Sequence, residues 1–552
     1  MNWIVIIIFI LISIKLINRR FKKKRLENLK KRYIENWGNP KENTYFNFHS
    51  IGKYFKNNSH KEKAFHIISE KTQLDLDVNE LFKFIDRTSS KIGQQYLYFK
   101  LRTIGSINEL LKFDQLVNVF FKNNDLRLNC QLLLSPLNGE NTYDLEELIN
   151  GAQIQKPKII WLVYLLTICN FFLVFLVFLG FLNPLFFIVL ISTYCANMFF
   201  HYRNKLYINF YLNGVIQLSK SLRVAKQISV LSEIKEKYND FTFIRKINKI
   251  RFKTEFIGFE KNANDELTLI FWFVIEFVKV LFNIEYLIFF SLIKSIVRER
   301  KSIEDMYVFI GEIDAAISTA SIKSGKFEYC TPCFIDNKSI TATGIYHPLI
   351  PNCILNDIKL SNKSMLLTGS NMSGKTTFIR ALGLNSLLAQ TLNICFAKEY
   401  YAPFFKLYSS IRISDNILES KSYYLEEVLT IKHLISASID TNPSLFILDE
   451  MFKGTNTIER ISGSKAVLTY LNNNNNNIVL ASSHDIELTE DIEFESYQLF
   501  HFSEFVNKDN ELSFDYKLKF GPLRTRNAIK ILELYGYPKE IINSANKNAQ
   551  KF

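Results

Sequence analysis

The residues best suited to chemistry lie in a glycine-rich loop at 369–376. An apolar run at 365–367 precedes it, and the loop ends in Gly374, Lys375 and Thr376. This spacing between a strand and a helix is typical of a phosphate-binding loop, because its backbone N–H groups turn toward phosphate oxygens. We expect Lys375 to reach the β- and γ-phosphates and the Thr376 hydroxyl to bind Mg²⁺. The alternative, a chance glycine turn, is disfavoured by the flanking segments.

A second apolar run, at 445–448, ends in two carboxylates, Asp449 and Glu450. Such a run is typical of a buried parallel strand. We predict that Asp449 holds Mg²⁺ and that Glu450 polarises the attacking water as general base. A third run, at 478–483, leads into His484, which we expect to contact the γ-phosphate or the attacking water. For Asp449 and Glu450 the alternative is a strand that ends in solvated acids, and the position of this strand after a phosphate loop disfavours that alternative.

These segments together resemble the MutS family of DNA mismatch-repair ATPases, a branch of the ABC ATPase class. The resemblance extends over roughly residues 75–150 and 205–552. Residues 368–377 are similar to the family's TGPNMGGKST loop, 448–457 to its LLDEIGRGTST and 483–489 to its THYFELT. The fold implied is an α/β ABC-type P-loop ATPase domain, joined to an all-α, lever-like helical domain that carries transmembrane helices.

The resemblance also implies the cofactors, ATP and Mg²⁺, and the residues that bind them. Lys375, Glu450 and His484 are the implied catalytic residues, and Thr376 and Asp449 the implied metal ligands. The implied nucleotide-binding residues are Gly369, Ser370, Asn371, Met372, Ser373, Gly374, Lys375, Thr376, Thr377 and Ser422. Two of these, Ser370 and Ser373, depart from the family's loop.

In this family each ATP lies between two subunits, and a serine-bearing loop of the partner reaches the γ-phosphate. The corresponding loop here is 414–424, with Ser422 at the position of the family serine. Ser420 replaces a glycine of the family and Tyr423 replaces a threonine. The resemblance therefore implies a homodimer with composite ATP sites, while the strength of the partner contact and the hydrolysis rate stay open.

Two segments predict insertion into a membrane. Residues 3–17 are apolar except for Ser13 and Lys15, and a basic cluster follows at once. This order indicates an uncleaved anchor with its basic flank in the cytoplasm, although a full crossing needs about 20 residues. Residues 159–200 contain no charged residue and have Asn183-Pro184 near the middle. They predict two crossings joined by a tight turn, with both ends in the cytoplasm.

A third apolar segment, at 267–293, contains Glu276, Lys279 and Glu285. Charges in the middle of a span are costly in lipid. A further crossing would also place the ATP site outside the cell, away from ATP. We therefore predict a long lever-type helix here. The expected location is a multi-pass protein of the cytoplasmic membrane with its ATPase domain in the cytoplasm.

The chain of 552 residues has room for two or three domains. The predicted domains are a transmembrane anchor at 1–20, a basic juxtamembrane segment at 21–60, a helical lever-like domain at 61–158 and 201–335, a transmembrane hairpin at 159–200, and a MutS-type ATPase domain with carboxy-terminal dimerisation helices at 336–552.

Seven scattered cysteines argue against a disulfide framework, and we expect the Cys330–Cys333 pair to be structural.

The formal net charge of +14 is weak support for nucleic-acid binding. Residues 19–32 hold nine Lys or Arg and one acid, a net +8, which leaves +6 for the rest of the chain. A basic cluster beside anionic lipid accounts for most of this imbalance. Residues 1–60 also leave no room for the family's mismatch-reading domain. Mismatch recognition is therefore not expected.

Two functions stay open. The first is a membrane-anchored, MutS-like ATPase that hydrolyses ATP as a dimer and moves helical arms around DNA. The second is an ATP-driven switch that acts on membrane or protein partners without recognising DNA. A small-molecule transporter is less favoured, because three apolar segments provide too little of a pathway.

Overall fold

The computed structural model describes residues 2–42, 44–57, 59–151, 159–180, 183–238, 240–258, 276–370, 372–412, 423–491, 496–506, 512–523 and 528–549. The chain divides into two compact units. The helical unit consists of 1–59, 86–99 and 116–324, and the sheet unit of 60–85, 100–115 and 325–552. Residues 60–85 and 100–115, which lie in the predicted lever-like domain, thus pack with the sheet unit.

The helices are distributed over both units. They are α1 (Asn2–Glu35), α2 (Phe48–Ile51), α3 (Lys53–Asn57), α4 (Glu70–Asp75), α5 (Val78–Ile85), α6 (Lys91–Arg102), α7 (Ile107–Lys122), α8 (Asn124–Leu134), α9 (Asp144–Asn150), α10 (Ile160–Phe178), α11 (Pro184–Ser229), α12 (Ser232–Lys237), α13 (Thr242–Asn248), α14 (Arg251–Gly258), α15 (Glu276–Phe282), α16 (Ile284–Arg298), α17 (Arg300–Lys323), α18 (Lys375–Leu392), α19 (Tyr423–Ala437), α20 (Thr457–Asn472), α21 (Leu488–Asp491), α22 (Ala528–Leu534) and α23 (Lys539–Ala549).

The described part of the helical unit contains helices and no strand. Its apolar segment at 159–200 forms α10 and the first turns of α11, and Asn183 caps α11 by accepting a hydrogen bond from the backbone N–H of Leu185. Among the described residues two stretches, Ile160–Phe178 and Pro184–Arg203, are long and apolar enough to cross a membrane. Most of their side chains are not covered by the protein itself. That these stretches form a transmembrane hairpin stays a prediction.

The predicted anchor and part of the basic segment after it form one continuous helix, α1. Most side chains of residues 2–18 lie outside the described part, whereas those of 19–25 are exposed. Membrane spanning by α1 stays a prediction.

The prediction of one long helix over 267–293 is wrong in the part that the structure describes. α15 ends at Phe282 and α16 begins at Ile284, with their axes bent by 68°. Asn283 between them has a φ of +47°, a left-handed conformation that asparagine tolerates. The side-chain amides of Asn170 and Asn197 each donate a hydrogen bond of 2.7 Å to the Leu281 carbonyl. These distant residues stabilise a break that the local sequence does not reveal.

The sheet unit contains fourteen strands in the described residues. They are β1 (His66–Ile67), β2 (Thr103–Ile104), β3 (Cys333–Phe334), β4 (Ser339–Ile345), β5 (Asn356–Ser361), β6 (Ser364–Thr368), β7 (Glu399–Ala402), β8 (Lys406–Ser410), β9 (Ser444–Asp449), β10 (Asn477–Ser483), β11 (Tyr497–His501), β12 (Glu504–Val506), β13 (Leu512–Phe514) and β14 (Lys519–Phe520).

The main sheet has six strands in the order β14-β11-β6-β10-β9-β8. All neighbours are parallel except β14, which runs antiparallel to β11. A second sheet has the order β3-β7-β4-β5. The central strands β6 and β10 are buried along their whole length, which explains their continuous apolar sequences. Because parallel strands end at one edge, the segments after β6, β9 and β10 lie side by side.

The strand β8 is tied to α4 by one buried carboxylate, Asp75. It accepts hydrogen bonds from Ser409 Oγ at 2.7 Å and from the backbone N–H groups of Ile411 and Arg412 at 3.0 and 2.9 Å. Lys71 also lies 2.7 Å from it. This contact holds the chain just before residues 413–422, which contain most of the predicted partner loop and lie outside the described residues.

Candidate nucleotide-binding site

The glycine loop connects β6 to α18, as its sequence predicts. Gly369 and Gly374 have φ values of +149° and +101°, in the range that favours glycine. A Cβ at Gly369 would lie 2.8 Å from both Phe502 O and Ser373 Oγ, so no larger residue fits. The loop is closed further by Ser373, whose hydroxyl donates to Ser370 O at 2.7 Å. Its compact form leaves the helix start open to an anion.

The side chain of Lys375 is folded into this loop. Its amino group donates to the carbonyl oxygens of Gly369 and Ser370, at 2.5 and 2.9 Å. Only 2% of the residue is exposed, and this burial lowers the pKa of Lys375 although Glu450 and Asp449 lie nearby. The loop thus holds one buried cation at the point where phosphate oxygens are predicted to bind.

The two predicted metal ligands are in contact. Thr376 Oγ1, at the start of α18, donates to Asp449 Oδ2 at 2.6 Å. The other carboxylate oxygen of Asp449 accepts a hydrogen bond from Ser482 on β10, which pairs directly with Asp449 in the sheet. A hydroxyl and a carboxylate that touch are suitable oxygen ligands for Mg²⁺.

Among the described residues, no group of three His, Cys, Asp or Glu side chains is arranged to hold a metal. This fits a Mg²⁺ ion that takes most of its ligands from phosphate and water rather than from the protein. The residues present therefore fit Mg²⁺ bound together with a nucleotide.

The second carboxylate, Glu450, is surrounded by cations. Its Oε2 lies 3.7 Å from His484 Nδ1 and 2.6 Å from Lys453 Nζ. His484, Lys453 and Lys375 together lower the pKa of Glu450 to about 2. Glu450 is therefore ionised at neutral pH, although it is only 8% exposed. Such a carboxylate can accept a hydrogen bond from water and orient it.

His484 lies between two carboxylates. Besides Glu450, Asp485 Oδ1 is 3.6 Å from His484 Nε2. Asp485 accepts two hydrogen bonds from Arg460, of 2.9 and 2.7 Å. The adjacent Glu450 raises the pKa of His484. Sequence reasoning assigned no role to Arg460, and its distance of 25 residues from Asp485 gives no local signal.

Sequence reasoning also missed Glu427 on α19. It is 1% exposed, its burial raises its pKa, and it accepts a hydrogen bond from the backbone N–H of Phe452, two residues after Glu450. It thereby fixes the turn that follows Glu450. Of the predicted site residues, Asn371 and Ser422 lie outside the described part, and Met372 is 70% exposed.

A pocket of about 520 Å³ adjoins the glycine loop. It reaches Gly374, Thr376 and Thr377 at one end. Its aromatic lining residues are Tyr346, Phe378, Phe502 and Tyr516. The size and the aromatic walls suit a planar base.

The glycine loop lies between strand β6 and helix α18, and the two carboxylates lie at the end of β9. In this sheet β9 is separated from β6 by one parallel strand, β10. This arrangement defines an α/β domain of the P-loop nucleotide-binding class. Residues 365–552 match MutS domain V. The chain is similar to the DNA mismatch repair protein MutS of Staphylococcus haemolyticus (strain JCSC1435), with 29% identity over 273 residues, 48% of this chain and 30% of that relative.

The MutS protein of Staphylococcus aureus (strain JH9) is 28% identical over 280 residues, 49% of this chain and 32% of that relative. The matched part thus spans about a third of the length of these relatives. Together the matches support a MutS family member.

Proposed function

We propose that this chain is a membrane-anchored, MutS-like ATPase. The contact between Thr376 and Asp449 carries the proposal, because it brings a phosphate-loop hydroxyl and a strand carboxylate, 73 residues apart, to 2.6 Å. Membership of the MutS family implies ATPase activity in general, and the pocket beside the loop can hold the adenine.

Each residue of the site has a distinct part in hydrolysis. The loop N–H groups and Lys375 bind the phosphates, and Thr376 and Asp449 would hold Mg²⁺, which neutralises charge on the phosphate oxygens. Glu450 orients the attacking water by accepting its hydrogen bond. His484 is placed to donate a hydrogen bond to the γ-phosphate or the water while its other nitrogen faces Asp485.

The helical unit supports the membrane location. The exposed apolar side chains of α10 include Phe171, Phe175 and Phe178, at 68%, 50% and 88% exposure. A soluble protein rarely exposes so large an apolar surface without a partner. We expect the full-length chain to stay in the membrane fraction after alkaline carbonate extraction. A carboxy-terminal reporter that is active only outside the cytoplasm would contradict the proposed topology.

DNA remains the first proposed partner, since both relatives are named DNA mismatch repair proteins. The exposed apolar hairpin favours the second candidate, a switch that acts on membrane or protein partners. Protein purified in detergent should be assayed for ATPase activity with duplex, mismatched and branched DNA. Stimulation together with salt-dependent binding supports the DNA function. ATPase activity that no DNA changes, without binding at low salt, would reject it and leave the second candidate.

A further inference from the structure

A buried cluster of charged side chains lies in the helical unit, where α11 meets α15 and α16. His201 is 2% exposed, and its Nε2 lies 3.2 Å from Glu276 Oε1 and 3.9 Å from Glu285 Oε2. The two carboxylate residues are 7% and 4% exposed. Ionisable groups so deeply buried cost free energy unless they are paired, and within a membrane protein they commonly mark a functional site. The ATP site, in the other unit, does not use them.

The two carboxylates stand on opposite sides of the helix break. Glu276 belongs to α15 and Glu285 to α16, and the axes of these helices are bent by 68° at Asn283. His201 on α11 therefore faces one acid from each half of the broken helix. A charge on its imidazole would attract both halves.

Two lysines lie beside the carboxylate of Glu276. Lys205 Nζ is 3.1 Å from Glu276 Oε1, and Lys279 Nζ is 4.0 Å from Oε2. Among the described residues, titratable or charged side chains near these groups include Tyr194, Cys195, Tyr202 and Arg203 on α11, Tyr286 on α16, and Tyr164 on α10.

The cluster also contains buried polar atoms whose hydrogen-bonding capacity is not used. Asn197 lies one helical turn before His201, and its Oδ1 has no hydrogen-bond partner although its amide nitrogen binds Leu281 O. Both polar side-chain atoms of the fully buried Asn283, and Glu276 Oε2, are likewise without one. Buried polar atoms of this kind normally have a partner.

The chemistry of the cluster favours a proton over a metal ion. Among the described residues no group of His, Cys, Asp and Glu side chains is arranged to hold a metal. An imidazole nitrogen 3.2 Å from a carboxylate oxygen instead forms an ion pair with it once the imidazole is protonated.

We propose that His201, Glu276 and Glu285 form a proton-binding site that holds the two halves of the broken helix together. A proton taken from water adds to the imidazole, and the resulting cation attracts a carboxylate on each side of Asn283. When the proton returns to water, this shared attraction is lost and α16 can reorient against α15. The site lies within the helical unit, so the proposal does not depend on ATP hydrolysis.

Histidine NMR tests the binding step. Full-length protein in detergent micelles, labelled with ¹⁵N-histidine, is titrated between pH 5 and 9, and His201→Gln identifies the His201 signals. We expect a titrating imidazole whose midpoint moves to lower pH by about one unit or more in Glu276→Gln. The more distant Glu285→Gln should give a smaller shift, and it serves if Glu276→Gln does not fold. A His201 that does not titrate, or whose midpoint neither variant moves, would overturn the proposal.

Spin-label distances test the structural step. Labels at Phe277 and Val297, exposed positions on α15 and α16, are attached after replacement of the exposed native cysteines by serine. We expect the distance to change between pH 6 and 9 in this background and to be independent of pH when His201→Gln is added. His49→Gln, which removes an exposed histidine of the same unit, should behave like the background. A distance that responds to Na⁺ replacing K⁺ at constant pH, but not to pH, would identify a metal ion and reject the proton.

Discussion

Single residues of the candidate nucleotide-binding site derive their properties from charges that surround them. Glu450 is ionised because His484, Lys453 and Lys375 lie around it, and His484 is in turn held between Glu450 and Asp485. A carboxylate with so low a pKa is a weak base, so the role that we propose for it is to orient water. This assignment leads to two predictions at the scale of the residue.

Replacement of Glu450 by glutamine should separate binding from turnover. Glu450→Gln keeps the shape of the side chain, so ATP binding is retained, whereas kcat falls by about 10²–10³-fold because the amide orients water poorly. Equilibrium binding of labelled ATP and steady-state phosphate release measure the two effects. Glu399→Gln, at an exposed position of β7, serves as the control. Turnover that persists in Glu450→Gln would exclude this residue as the catalytic carboxylate.

The pair of Glu450 and His484 should make stability depend on pH. The lowered pKa of Glu450 stabilises the fold above about pH 4.3, and this stabilisation is lost as pH falls toward 2. The raised pKa of His484 stabilises the fold below about pH 6.5, and this is lost as pH rises through the folded-state value. His484→Gln should therefore lower Tm most between about pH 4.5 and 6.5.

The size of this effect is limited by solvent. The His484 side chain is 43% exposed, so we expect less than about 1 kcal/mol from the pair. Thermal unfolding of both proteins from pH 4 to 9 measures it. A Tm difference that grows toward pH 9 would contradict the assigned ion pair.

At the scale of elements, the site depends on the order of strands in the sheet. β10 lies between β6 and β9, and its Ser482 supports Asp449 from the neighbouring strand. The start of α18 brings Thr376 to the same carboxylate. The proposed metal site therefore depends on three elements, β9, β10 and α18, and it should be sensitive to the loss of one hydroxyl.

Thr376→Val should weaken the binding of Mg²⁺ that supports ATP hydrolysis. Valine has the shape of threonine without the hydroxyl, so the Mg²⁺ concentration for half-maximal ATPase activity should rise about tenfold or more. Thr376→Ser retains the hydroxyl and should stay within about twofold of the wild type. ATPase assays over a range of Mg²⁺ concentrations at saturating ATP measure the change. Equal Mg²⁺ dependence of the valine and serine variants would show that Thr376 is not a metal ligand.

At the scale of the whole molecule, the proposed ATP site is expected to be shared between two chains. Ser422 is the proposed contribution of the partner chain, and it follows from family resemblance. Mixing two inactive variants tests this directly. If the sites are composite, a dimer of Lys375→Ala with Ser422→Ala contains one site with both defects and one intact site.

An equimolar mixture of these variants should recover about a quarter of the wild-type ATPase rate, because half of the dimers are mixed and each has one active site. The matched control mixes Lys375→Ala with Glu450→Gln, whose residues belong to the same chain's half of the site, and should recover nothing. Failure of the first mixture to recover activity, with dimers shown by light scattering, would reject the composite site.

The sequence by itself determined the phosphate loop, the carboxylates after β9 and the apolar hairpin. These features are contiguous: a glycine spacing, a short apolar run ending in acids, and more than 40 uncharged residues around Asn183-Pro184 are all readable from neighbours in the chain. Local patterns of this kind reflect local physical requirements, such as left-handed glycines or burial on both faces of a strand.

The tertiary structure alone decided which distant residues meet. It paired Ser482 with Asp449, Arg460 with Asp485 and Glu427 with the turn at Phe452. It also broke the predicted long helix at Asn283, because Asn170 and Asn197 satisfy the carbonyl that the break exposes. Hydrogen bonds between residues far apart in the chain form only in the packed fold, so a local sequence pattern cannot predict them.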